Sequence, residues 1–482
     1  MFTNVHVSPD APEEEQPTIG LIGMGAMGKL YAKCLSKGGW KKIHVCDRPD
    51  LFEDLKKEWE GTTGVKVLRD GHHVSRTSDF IVYSVEAEYI DRVAAEYGPS
   101  TKVGAIVAGQ TSVKAPERAA FEKHLPEDVH IVSCHSLHGP TVNPRDQPLV
   151  LIKHRGTDEA LALVESILKP LQSRYVYMSY EEHDLVTANT QAVTHAAFLS
   201  MGTAWASAQS YPWEHGLYVG GIETVKVNIM LRIFSNKWHV YAGLAILNPS
   251  ARIQIKQFAQ STTDIFKLML AVDEKGLRER MYDARRKVFG STHLLDGAEG
   301  GETRAPILLS EDILDEFSLG RKRPDTPPDS VATSTAGTGE VTGTGNISPN
   351  KPASNSHLSL LAMVDCWARL SINPFHHLDL AATPVFRMWI GVAEYLFRSE
   401  ARLDAAIHAA LYDTSHRYDD VEFVVASRGW SQCVSFGSFE LYRQRFEETA
   451  KFFEPRFEEA GKVGSEMLKV ITDRSLQLQT PK

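Results

Sequence analysis

From Thr18 onward, short apolar runs alternate with amphipathic stretches, and Thr18–Ile22, Ile43–Cys46, Phe80–Ser84, Val103–Ala108 and His130–Cys134 read as strands. Runs this short, rich in β-branched residues and separated by helical periodicity, predict an α/β unit with a doubly wound sheet. Past Tyr180 the pattern changes. Long segments rich in Ala, Leu and Met, such as Glu181–Ser210 and Glu223–Leu247, carry the helical period and predict an all-α domain. Arg321–Ser356 is dominated by Ser, Thr, Pro and Gly with almost no large apolar residue, so it reads as a disordered insertion. Helical periodicity resumes over His357–Leu411. The expected organisation is a loose tail over 1–17, an α/β domain over 18–178, a helical domain over 179–320, the insertion over 321–356 and a C-terminal helical domain over 357–482.

A chain of 482 residues has room for two or three domains, each able to bury a full core. A net charge of -9 argues against a general nucleic-acid binder, whose affinity rests on a basic face. No apolar run reaches membrane-spanning length. Cys34, Cys46, Cys134, Cys366 and Cys433 show no C-x-x-C spacing, which reads as reduced thiols in the cytosol rather than a disulfide frame or a zinc site. The N-terminus lacks both the apolar core of a secretory signal and the Arg-rich pattern of a transit peptide.

The first chemical motif is Gly23-Met24-Gly25-Ala26-Met27-Gly28, which follows a strand directly and opens a helix. This is the Rossmann dinucleotide fingerprint in its required context. The first glycine permits the tight turn, the second admits the pyrophosphate to the helix N-terminus, and the third lets helix and strand pack closely. The second strand ends at Asp47, and 47 − 28 = 19 residues is the separation expected of the group that meets the adenosine ribose. Asp47 favours NAD through the 2′-hydroxyl, whereas Arg48 suits the 2′-phosphate of NADP. Ser84, at the end of the strand Phe80–Ser84, completes the candidate cofactor-binding positions.

Candidate catalytic groups follow at the carboxyl edge of the sheet, where ligands of such folds bind. They are Gly109-Gln110-Thr111-Ser112-Val113-Lys114 and Ser133-Cys134-His135-Ser136-Leu137-His138-Gly139-Pro140. A helical segment then opens Glu181-Glu182-His183-Asp184 and runs to Thr194-His195, and a later one carries Asn228–Phe234 with Arg232. Four separated pieces in this order resemble the prephenate and arogenate dehydrogenases, over about Thr18 to Ile265. Full-length resemblance is closest to the fungal NADP-dependent prephenate dehydrogenases. One departure is Ser136, where the bacterial loop has proline.

The resemblance implies oxidative decarboxylation of prephenate to 4-hydroxyphenylpyruvate in tyrosine biosynthesis, with NADP as cofactor and NAD as an alternative. It assigns His135 as the base that takes the C4 hydroxyl proton, Ser112 as the group orienting its imidazole, and His195 and Arg232 as substrate-binding. Histidine suits the base, since its ordinary pKa of about 6.5 lies near working pH, and arginine offers a planar fork to a carboxylate. Ser112 also fits as an N-cap for a helix over Val113–Lys123. On one regular helix His183 and His195 differ by roughly 120° in direction and about 18 Å along the axis, so both cannot serve one small substrate. The resemblance selects His195 and leaves His183 a structural part.

His135 and His138 have no convincing third ligand, so no metal is expected. Arogenate is the nearest alternative substrate. A β-hydroxyacid dehydrogenase would require a K-x-x-N spacing that Lys226-Val227-Asn228 lacks, and a nicotinamide-sensing regulatory protein would not need His135, Ser112 and Arg232 together. Finally, Thr194-His195, Met201, Trp205-Ala206 and Pro212 reappear as Ser356-His357, Met363, Trp367-Ala368 and Pro374 at a constant offset of 357 − 195 = 162 residues. Arg232 pairs with Arg387 at 387 − 232 = 155. The pattern predicts an internally duplicated helical unit, and hence a monomer with a pseudo-dimeric helical region or a homodimer.

Overall fold

The computed structural model describes residues 7–140, 142–290, 307, 317, 319, 355–381 and 383–479. The stretch 321–356 lies outside the described residues except for Asn355 and Ser356. The α/β half is an eight-stranded sheet in the order β3-β2-β1-β4-β5-β6-β7-β8. Its strands are β1 (Ile19–Ile22), β2 (Ile43–Cys46), β3 (Val65–Val67), β4 (Phe80–Tyr83), β5 (Ile106–Gly109), β6 (His130–Ser136), β7 (Pro148–Arg155) and β8 (Arg174–Tyr177). The β6–β7 pairing is antiparallel and every other pairing is parallel.

Strands covered on both faces need no alternation, and β1 and β4 are buried at every residue. One face packs on Tyr31, Leu35, Leu163 and Ile167, the other on Val74, Ile90, Ala94 and Phe121. Three strands escape the sequence pattern. β3 spans only three residues, β8 alternates weakly, and β7 returns antiparallel after a loop.

The N-terminal segment corrects the expected loose tail from Val7 onward. Val7 is buried, Gln16 donates to the carbonyls of Pro9 (2.9 Å) and Ala11 (3.0 Å), and its Oε1 accepts from the Lys41 N–H at 2.9 Å.

The helical half is more divided than its periodicity suggests. Glu181–Ser210 is a helix over Tyr180–Thr187, a π turn over Ala188–Ala192, and a second helix over Val193–Ser207. Glu223–Leu247 breaks into Gly221–Phe234 and His239–Leu247, because the Ser235 hydroxyl and the Asn236 amide both donate to the Arg232 carbonyl and end the first helix.

Two long helices, Pro249–Leu270 and Arg417–Phe436, pack on each other at the centre. Val193–Ser207 lies along Arg417–Phe436, and Leu358–Arg369 lies along Pro249–Leu270. Among the described residues no helix is long and apolar enough to cross a membrane.

Candidate active site

The glycine loop has the shape of a phosphate cradle. Gly23 sits at φ +100°, and a Cβ there would lie 2.3 Å from the Ser84 carbonyl oxygen. A Cβ on Gly28 would lie 2.1 Å from the Gly23 carbonyl oxygen, whereas one on Gly25 would meet nothing within 4 Å. The loop is therefore closed against the protein at Gly23 and Gly28 and open at Gly25, the N-cap of the helix Ala26–Lys37. Such an opening admits a pyrophosphate. Met24 is buried; Ala26 and Met27 begin the helix.

Asp47 faces this loop. Its Oδ2 accepts from the Met24 N–H and its Oδ1 from the Arg48 N–H, each at 2.7 Å. Arg48 reaches outward to Asp50 at 3.2 Å, with both side chains largely exposed. An exposed pair of this kind is worth little and exchanges readily for a phosphate. Ser84 donates to Gln110 Oε1 at 2.7 Å, and the buried Gln110 Nε2 is without a protein partner. These groups fit a dinucleotide running from the β2 end across the glycine loop to β4 and β5.

His135, on β6, is buried, and its Nδ1 lies 2.7 Å from His183 Nε2. His183 Nδ1 lies 3.0 Å from Asp184 Oδ1, and the Asp184 carboxylate accepts the N–H of Lys114 at 2.7 Å and of Ala115 at 2.8 Å. An ionised carboxylate held at a helix N-terminus only accepts, so His183 donates through Nδ1 and its Nε2 accepts from His135 Nδ1–H. His135 Nε2 is left with a lone pair, and no hydrogen bond among the described residues engages it. Burial, then the charges of His183 and Lys114, hold His135 well below the ordinary histidine range, and burial does the same to His183. Both imidazoles are neutral at pH 7.

This chain corrects two expectations. His183 is not merely structural, because it binds the imidazole of His135. Ser112 is not the N-cap of the following helix, which begins at Lys114 with its N-terminal N–H groups taken by Asp184. Among the described residues no hydrogen bond joins Ser112 to His135; the contact to Nδ1 comes from His183.

Each residue of Glu181-Glu182-His183-Asp184 has a separate part. Glu181 pairs with Arg118, Glu182 closes a capping box with Ser179, His183 meets His135, and Asp184 caps the helix Lys114–His124. Beneath them lies a fully buried ion pair, Lys114 with Glu117 at 2.8 Å. The Lys114 ammonium also donates to the carbonyls of Gly109 and Cys134, each at 2.9 Å, and so joins the ends of β5 and β6. Ser136 is buried with its hydroxyl 2.8 Å from the Tyr31 hydroxyl, which ties the loop after β6 to the cofactor helix. The residue types of these supports are visible in the sequence, but their partners are too distant along the chain to be paired by inspection.

His195 and Arg232 lie in the helical half, and among the described residues neither hydrogen-bonds to His135. His195 stands edge-on to Tyr241 with ring centroids 4.8 Å apart, and its buried Nδ1 has no partner. Burial pushes its pKa down to about 3. Arg232 is half-buried and makes no ion pair among the described residues. Its charge reaches Tyr241, whose hydroxyl accepts from Asn236 at 3.1 Å.

The π turn between His183 and His195 inserts about one residue into the helical phase. The expected 120° separation falls to about 20°, which points both histidines to nearly the same side. The helix His239–Leu247 approaches the end of β4, where a Cβ on Gly243 would lie 3.9 Å from Ala87 Cβ. Tyr241 and His195 thus belong to the half of the molecule that faces the cofactor loop. Among the described residues no group of three His, Cys, Asp or Glu side chains is placed to hold a metal ion.

Comparison with known proteins agrees with this arrangement. Residues 192–473 match the family described as the 6-phosphogluconate dehydrogenase C-terminal domain, in its tyrosine-pathway-like form. The chain is 49% identical over 455 residues to a probable prephenate dehydrogenase [NADP(+)] of Schizosaccharomyces pombe, covering 94% of this chain and 97% of that one. It is 47% identical over 474 residues to the prephenate dehydrogenase [NADP(+)] of Saccharomyces cerevisiae, covering 97% of each. Among solved structures, the Aquifex aeolicus prephenate dehydrogenase with hydroxyphenyl propionate and NAD+ aligns over 56% of this chain and 97% of that chain, at 19% identity and a TM-score of 0.46. Near-half identity sustained along almost the whole of two relatives means that this chain belongs to the prephenate dehydrogenase family.

Proposed function

We propose that the protein catalyses the NADP-dependent oxidative decarboxylation of prephenate to 4-hydroxyphenylpyruvate. The observation that carries this reading is the buried run from His135 through His183 to Asp184, which leaves the His135 Nε2 lone pair available at the carboxyl edge of the sheet. A substrate hydroxyl seated against Nε2 gives up its proton there as the C–H bond at C4 breaks. The nicotinamide, when bound, supplies the acceptor for the departing hydride. Loss of CO2 from C1 then makes the ring aromatic, which drives the step. His183 accepts from Nδ1 throughout, and the Asp184 carboxylate steadies the positive charge that His135 gains.

Arg232, unpaired among the described residues, and His195 are the substrate-anion contacts in this reading. Arg48 meets the 2′-phosphate, while Asp47, whose two oxygens face backbone N–H groups, braces the glycine loop. The test is reduced-nicotinamide absorbance with prephenate and arogenate, each with NAD and with NADP. The highest kcat/KM belongs to prephenate with NADP, and a higher value for arogenate or NAD would overturn that assignment.

The compartment in this reading is the cytosol, a placement supported by five unpaired cysteines, four of them buried. The helical half is proposed as a duplicated unit that lets the chain work as a monomer. Exchanging Val193–Ser207 with Leu358–Arg369, and Pro249–Leu270 with Arg417–Phe436, leaves the main helix packings unchanged, which supports the idea. The arginine pairing does not carry over: Arg232 lies in the last turn of its helix and Arg387 in the first turn of Pro384–Arg398. Sedimentation equilibrium is expected to return a mass near 53.6 kDa, and a stable dimer would count against a self-sufficient pseudo-dimer.

A further inference from the structure

The helix Pro374–Ala381 belongs to the C-terminal segment, yet it packs on the helix Tyr180–Thr187 and on the π turn Ala188–Ala192, which carry the partners of His135. Leu380 joins the small apolar cluster of Leu137, Val150, Ile152, Tyr180 and Val186, whose first member is two residues along the chain from His135. This helix therefore walls the region between the sheet edge and the substrate-side helices. It brings His377 with it.

His377 Nε2 lies 2.8 Å from Asn189 Nδ2, in the π turn six residues from His183 and six from His195. Gln254 donates its amide to Asn189 Oδ1. With its oxygen engaged by that donor, Asn189 presents its N–H to His377, so His377 Nε2 accepts and the ring proton resides on Nδ1. That N–H is buried and has no acceptor in the protein.

A buried donor left unpaired is costly, and where one persists it calls for an explanation. Its surroundings offer none from the protein: His376 stands edge-on with ring centroids 5.6 Å away and can only repel a proton. Burial, then the His376 charge, push the His377 pKa down to about 4, so the ring stays a neutral, one-proton donor at working pH. Asn189 and Gln254 fix its direction. The arrangement has the character of a preformed contact awaiting an oxygen.

We propose that His377 is a substrate-binding residue, donating Nδ1–H to a carboxylate oxygen of the anionic substrate from the wall opposite His135. This rests on the proposed function and adds a contact supplied by the part of the chain beyond the insertion.

The test compares His377→Phe, which keeps a ring and removes the donor, with His377→Gln, which keeps an N–H. The expected result for His377→Phe is a KM for prephenate raised roughly ten- to a hundredfold, the value of a lost charge-assisted bond. NADPH affinity by fluorescence titration and kcat should hold within a few-fold. His377→Gln should recover part of the loss.

A purely structural histidine would instead lower kcat and the melting temperature together and leave KM unchanged, which would overturn the proposal. Calorimetric titration of 4-hydroxyphenylpyruvate into NADP-loaded enzyme separates the two claims. If the wild-type enzyme fails to turn over prephenate, the functional reading falls. Equal affinity of wild type and His377→Phe for the 2-oxo acid in that titration overturns the role of His377 itself.

Discussion

Replacing His183 with alanine tests the central geometric claim, because it leaves His135 in place and removes only what its Nδ1 touches. The lost contact is a 2.7 Å hydrogen bond between two buried rings. Without it the Nδ1–H of His135 is a buried donor with no acceptor, a penalty of about 1–3 kcal/mol. The imidazole can escape that penalty by turning or by moving its proton to Nε2, and in either case the base is lost from the reacting position. If the whole penalty falls on the productive arrangement, kcat drops roughly 5- to 150-fold, since about 1.4 kcal/mol corresponds to a factor of ten.

The assay is steady-state turnover of prephenate with NADP, paired with NADPH titration by fluorescence. Cofactor affinity should be unchanged, because the hydrogen bonds of the His183 side chain go to His135 and Asp184 and not to the glycine loop or Asp47. A variant that folds, binds NADPH normally and keeps kcat within twofold of wild type would refute the reasoning. In that case the tautomer of His135 would have to be set by some other group, with Ser112 the first to examine.

Three further outcomes follow from the same geometry. Gly28→Ala places a Cβ 2.1 Å from the Gly23 carbonyl oxygen, so NADPH affinity should fall by more than about tenfold in a fluorescence titration, and an unchanged Kd would deny the loop its role. Arg48→Ala should weaken NADPH binding about 10- to 150-fold while leaving NADH binding nearly unaffected, as expected for loss of a charge-assisted bond to the 2′-phosphate alone; equal effects on the two nucleotides would remove that assignment. The third concerns acid stability. His195 is held neutral with a folded-state pKa of about 3, so below pH about 6.5 the unfolded chain takes up a proton that the folded chain refuses. That contribution to stability is complete above pH about 6.5 and falls by about 1.4 kcal/mol per unit toward pH 4. Urea denaturation at pH 7, 6 and 5 should show a steeper loss for wild type than for His195→Gln, and parallel losses would contradict a buried neutral imidazole.

Much of this protein was legible in the chain because the signals were local. The glycine loop, the strand before it and the helix after it lie within a few residues, so sterics and the helix terminus specify the cradle without reference to the rest of the fold. The change from short β-branched runs to long Ala- and Leu-rich segments likewise marks the two halves, since burial on both faces of a sheet or along one helix face imposes its own period. The ordered pieces containing Ser112, His135, His195 and Arg232 were enough to point to the chemistry.

Tertiary structure decided the pairing of groups separated along the chain. Asp184 reaches back seventy positions to cap the helix at Lys114, and His183 reaches forty-eight to set the tautomer of His135. The π turn that realigns His183 with His195 has no sequence signature, because an inserted helical residue is stabilised by its neighbours and not by its own identity. The same holds for His377. Its proton lies on Nδ1 because Gln254 orients Asn189 and Asn189 engages Nε2, a choice made by three segments meeting in space. Local patterns specify elements, whereas the direction of a hydrogen bond is specified only where those elements meet.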